Sequence, residues 1–60
     1  MGKKLKAYLK RNNLKQGEFA KMLGVGESLV SLWISDKRRP GRNRLVQLSQ
    51  VTGIKIEDLL

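Results

Sequence analysis

The segment "QGEFAKMLGVGESLVSLW", Gln16 to Trp33, constrains the fold more than any other stretch of this chain. On its near side Phe19, Ala20 and Leu23 make an apolar helical face, with Met22 beside it. On its far side Val30, Trp33 and Ile34 recur at i, i+3, i+4. Between them stand Gly24 and Gly26, one residue apart, followed by an acid. A G-x-G of this kind has two readings: a fragment of a phosphate-cradling loop, or a tight turn that aims one helix relative to another. The first fails, because "GVGES" lacks the Lys-Ser/Thr ending of a P-loop and no strand precedes it. The second gives each residue a task. Ala20 is small enough for a crossing helix to approach. Gly24 can end a helix in left-handed backbone at low cost. Val25 is expected to plug the corner. Gly26 can start the next helix, with Glu27 at its positive end.

The rest of the chain also reads as helix. Leu5 and Leu9, with Ala7 and Tyr8 nearby, predict a first helix over about 2–12, closed by Asn12 and Asn13. The next two helices are expected at about 16–23 and 27–34. "SDKRRPG" is a loop, since Pro40 and Gly41 interrupt any periodicity. "RNRLVQLSQVTG" supplies Leu45, Leu48 and Val51 to a fourth helix that Gly53 terminates. "IEDLL" forms a last turn, with Ile56, Leu59 and Leu60 expected to close the core. The only strand-like alternation is Ile54-Lys55-Ile56, which is too short. The expected fold class is all-α, a compact bundle of four to five short helices with residues 1–60 as a single domain.

A chain of 60 residues buries only about 60% of its unfolded surface, so aliphatic packing must be used well. There is no cysteine and no histidine, which removes disulfides, thiolate metal sites and the commonest neutral-pH base. No catalytic constellation, metal or cofactor is expected, and no small-molecule substrate. The longest mostly apolar run, "SLVSLWI", is far too short to span a bilayer. "MGKKLKAYLK" has no apolar h-region, and Lys6 stands where a myristoylation motif wants Ser or Thr. A soluble protein of a reducing cytoplasm is the expectation.

Charge narrows the partner. Thirteen Lys/Arg against five Asp/Glu leave a net +8. The cations fall in two clusters: Lys3, Lys4, Lys6, Lys10, Arg11 and Lys15, then Lys37, Arg38, Arg39, Arg42 and Arg44. Between Glu18 and Asp36 only Lys21 is basic. A field of this kind favours nucleic acid, an anionic membrane or an acidic partner.

Small residue, glycine four later, apolar residue six after that is the spacing of a helix-turn-helix. With it, "QGEFAKMLGVGESLVSLW" resembles the DNA-binding domains of lambdoid phage Cro proteins and repressors, the Cro/repressor (XRE-like) helix-turn-helix family. The likeness extends through the basic loop with its proline into "LVQLSQVTGIKIEDLL", and so covers nearly the whole chain. It implies the lambda repressor-like fold and binding of double-stranded DNA by a transcriptional regulator, a phage or prophage Cro-like repressor. The helix at 27–34 would lie in the major groove of a pseudo-palindromic operator. By matching position, Glu27, Ser28, Ser31 and Leu32 would read bases. Gln16 would bond a phosphate and brace the first reader. Lys15, Lys37, Arg38, Arg39, Arg42 and Asn43 would contact the backbone. The protein would work in the bacterial host cytoplasm, on the nucleoid. It would be a homodimer on DNA and weakly associated or monomeric when free.

Several of these positions have a second reading. Glu27 departs from the amide often found there: it accepts from a cytosine N4 amine, or it only supports the helix N-terminus or excludes wrong bases. Ser28 reads a base or helps cap the helix. Leu29 and Leu32 are unusually apolar for an exposed face, so one of them belongs to the core. Trp33 aligns with Val30 and belongs to the core, not to a stacking platform. Lys3, Lys4 and Lys6 read as a solvated face. The competing function is a protein-binding module on the same fold, an antitoxin or co-regulator, with Leu29, Leu32 and the C-terminal leucines as its partner surface. A basic membrane-active peptide is a third, which would be helical only with lipid.

Overall fold

Each of the first four helices is followed within two residues by one in left-handed backbone. The structure, a computed structural model, describes residues 1–60. It contains α1 (Gly2–Arg11), α2 (Gln16–Leu23), α3 (Glu27–Ile34), α4 (Arg42–Thr52) and α5 (Ile56–Leu59), and no strand. The fold is therefore all-α, with five helices. None of them is long and apolar enough to cross a membrane.

Gly24 at φ 73° and Gly53 at φ 76° end α2 and α4 as expected, because glycine has no Cβ to clash there. Behind α2 the amide of Val25 donates to the Ala20 carbonyl and that of Gly24 to the Lys21 carbonyl, a Schellman pair. Asn13, at φ 55°, does the same for α1, whose end falls one residue before the expected one. The end of α3 carries no glycine signal. There Asp36 has φ 60°, while Lys37 and Asp36 donate to the carbonyls of Leu32 and Trp33. Aspartate tolerates this region better than most residues, and its carboxylate is occupied: the Gly2 amide donates to Asp36 Oδ1 at 3.0 Å. Gly2 is itself buried, and a β-carbon there would collide with the Ile34 carbonyl. Only a residue without a side chain lets α1 approach the end of α3 this closely.

The core takes Leu5 and Leu9 from α1, Phe19, Ala20 and Leu23 from α2, Val30 and Trp33 from α3, Leu48 from α4 and Leu59 from α5. Trp33 is 1% exposed and Val30 fully buried, so both face inward as their spacing predicts. Fully burying a large apolar side chain contributes about 1.5–3 kcal/mol relative to leaving it in water. The small Ala20 is buried on α2, the helix that packs on α3, and α1 packs on α3 as well. Tyr8 and Phe19 join α1 to α2, their ring centroids 5.8 Å apart and tilted by 53°.

The C-terminal turn departs from expectation. Leu59 reaches the core, but Ile56 is 38% exposed and Leu60 69% exposed. A four-residue helix presents little more than one turn, so one position faces inward and its neighbours cannot. Pro40, expected only as a loop breaker, is buried, which fastens the basic loop to the body.

Candidate nucleic-acid interface

The candidate interface is built on the outward face of α3. Glu27, Ser28 and Ser31 are exposed, while Val30 and Trp33 turn inward. The 3.6-residue period makes that division, since 27, 28 and 31 share a stripe opposite 30 and 33. Leu29 packs against the core, and Leu32 is half-buried. Both leucines are half-buried and neither is a core residue; Leu29 is the one that packs against the core, and Leu32 keeps a part of its surface at the edge of the stripe.

The N-terminal end of α3 is left open. Its first residue follows Gly26, which has extended backbone and no side chain to cap the free amides. Ser28 does not take that role either; the one serine on this stretch with a side-chain bond is Ser35, whose hydroxyl donates to the Leu32 carbonyl at 3.2 Å. Glu27 supplies the only acid of the first turn. Its carboxylate reaches back to the start of α2, where a β-carbon at Gly17 would meet Oε1 at 2.9 Å.

The start of α2 stands beside it. Gln16 opens the helix and is half-buried. Lys15 precedes it in extended conformation with an exposed side chain, and its amide donates to Glu18 at 2.9 Å. This bond keeps the Glu18 carboxylate at the positive end of α2.

The basic loop runs from the anchored end of α3. Lys37, Arg38 and Arg39 are all exposed, as are Arg42 and Asn43 at the start of α4. Not one of these cations is in an ion pair; the side-chain pair in the molecule joins Lys4 to Asp58 at 3.6 Å. The start of α4 has Gly41 in place of a capping side chain and no acid in its first turn. Free amides, the helix dipole and Arg42 all favour an anion at that point. Arg44 differs. It is half-buried, and Nη1 donates to the Leu23 carbonyl at 3.3 Å and to the Gln47 side-chain oxygen, while Gln47 Nε2 donates to the same carbonyl at 3.1 Å. One cation of the second cluster therefore caps the C-terminal end of α2 and ties α4 to it. Leu23's carbonyl is one of the acceptors every helix end leaves unpaired, but nothing in the local sequence names a residue 21 positions away as its donor.

A family model described as Helix-turn-helix matches residues 5–59. The chain belongs to the XRE-type helix-turn-helix family. Domains of this family bind double-stranded DNA as transcription regulators and are generally non-enzymatic. No curated protein and no solved structure gave a significant match to the chain. The match spans both α2 and α3 and the turn between them that holds Gly24 and Gly26.

Proposed function

We propose that residues 1–60 act as a single domain that binds a specific pseudo-palindromic operator, in the manner of a phage or prophage Cro-like repressor. The observation that carries this reading is the exposed Glu27–Ser28–Ser31 stripe on α3, flanked by the unpaired cations Lys37, Arg38 and Arg39. In this reading α3 enters the major groove and its first turn meets base edges. Glu27 accepts from a cytosine amine, the hydroxyls of Ser28 and Ser31 bond base edges, and Leu32 touches a thymine methyl. Gln16 and Lys15 hold phosphate on one side. Lys37, Arg38, Arg39, Arg42 and Asn43 hold it on the other.

Four readers distinguish few base pairs, which favours two copies on one site. Ile56 and Leu60 are the exposed apolar residues of the C-terminal turn. Two side chains fall far short of the roughly 1,200–2,000 Å² that a stable interface buries. The dimer then assembles on DNA, in the host cytoplasm and on its nucleoid. A partner-binding module is less well supported, since of the leucines that would form its surface Leu59 lies in the core and Leu29 is partly buried against it.

Selection of bound duplexes from a random-sequence library at about 0.15 M salt, where exposed charges are well screened, tests the proposal. A two-fold-related motif with half-sites about one helical turn apart is the expected product. Recovery of no motif would overturn specific regulation. If each subunit neutralises about four to six phosphates, log K falls against log salt by about 0.9 per phosphate.

A further inference from the structure

The glycine at the second position of α2 lies directly under the first side chain of α3. Gly17 is half-buried, and a β-carbon built on it would stand 2.9 Å from Glu27 Oε1 and 3.6 Å from Glu27 Cδ. The carboxylate thus occupies the volume that any other residue at 17 would fill with its own side chain. Two forces hold it there. It belongs to the first turn of α3, and it rests against the first turn of α2, so the positive ends of both eight-residue helices attract it. No basic side chain competes: Glu27 is in no ion pair.

We infer that Gly17 is a positioning residue for specificity: by carrying no side chain it lets the Glu27 carboxylate lie back against α2, and so sets which base edge that carboxylate can meet. This rests on the reading of Glu27 as a base contact. Neither backbone conformation nor helix propensity calls for glycine at 17. The residue is not among those with positive φ, so alanine could adopt the same backbone. Within a helix, moreover, glycine is less favourable than alanine. The group a methyl would meet is the far end of a flexible side chain, which can move. Gly17→Ala therefore drives the carboxylate outward toward the groove without breaking the fold, and a carboxylate moved by part of an ångström changes the base it favours.

The test measures equilibrium binding to the duplex recovered by selection and to its single-base-pair variants. It uses the parent chain, Gly17→Ala, Glu27→Ala and the double variant. Gly17→Ala is expected to change the preference at the base pair that Glu27 reads by about three- to tenfold, a part of what a good base contact contributes. Its melting temperature stays level or rises. In the Glu27→Ala background the same Gly17 substitution leaves the preference unaltered. Three results overturn the inference. A silent Gly17→Ala alongside an effective Glu27→Ala removes it alone and leaves the operator reading intact. An equal effect of Gly17→Ala with and without Glu27 shows that it acts by another route. A silent Glu27→Ala removes Glu27 as a reader, and the inference with it.

Discussion

The two ends of α3 are built in opposite ways. At its C-terminal end the chain turns through Asp36 in left-handed backbone, the Gly2 amide donates to that aspartate, and Trp33 is locked in the core. At its N-terminal end there is a glycine without a capping side chain, then Glu27 and Ser28, both exposed. The anchored end fixes the helix axis, while the open end leaves side chains and amides free for another molecule. A recognition element needs both: rigid placement, so that few contacts suffice, and polar groups not already satisfied within the protein.

Substitutions along α3 should separate the two ends. The largest effect is expected from Trp33→Ala, which removes the largest fully buried side chain. A cost of about 3–5 kcal/mol in a domain this small should leave it largely unfolded, as thermal melting followed by circular dichroism would show. If the helical signal survives with an unchanged melting temperature, Trp33 does not anchor the helix. Asp36→Ala comes next. It discards the acceptor for the Gly2 amide and puts a β-carbon without a polar partner into left-handed backbone, at about 1–2 kcal/mol. Asp36→Gly sharpens the result, because it keeps the conformation and loses only the carboxylate's contacts with the Gly2 amide and, at 3.7 Å, the Met1 amine; it should cost less than alanine. Ser28→Ala stands last on the stability scale, within about 0.5 kcal/mol of the parent, as for a surface position away from special features. It should nonetheless lower discrimination at one base pair of the selected site by about 1 kcal/mol, the low end for a base contact. An unchanged profile with unchanged melting would take Ser28 out of the reading set.

A second contrast concerns the basic clusters, which look alike in sequence. The cations of α1 cover the outward face of a helix whose other side buries Leu5 and Leu9, and Lys4 pairs with Asp58. Those of the loop and α4 include Lys37, Arg38 and Arg39 with no pair, and Arg44, which caps α2. Clustered charge alone does not assign a task. What distinguishes these residues is which element lies beside them and whether an acceptor is within reach.

The helices were legible in the sequence because their signals are local. Apolar residues at 3.6-residue spacing put Val30 and Trp33 inside, and Gly24 and Gly53 marked two of the ends that take positive φ. The candidate site was legible to the extent that it is a helical stripe: with 30 and 33 inside, 27, 28 and 31 point out. Ile56 and Leu60 were not, because hydrophobicity does not say which side of a single turn meets the core. Leu29 and Leu32 could not be sorted by type, since both are leucines three residues apart and the packing of neighbouring helices decides between them.

By itself, then, the sequence determined an all-helical chain with a glycine-marked turn and a charge that favours nucleic acid. The tertiary structure alone decided three things: that Gly2 reaches Asp36, that Arg44 and Gln47 cap Leu23, and that Glu27 lies over Gly17. The physical reason is distance along the chain. Helix periodicity and end signals are set within a few residues of one another, whereas the first two contacts join positions 34, 21 and 24 residues apart. Even the contact of Glu27 with Gly17 forms only once α2 and α3 have crossed.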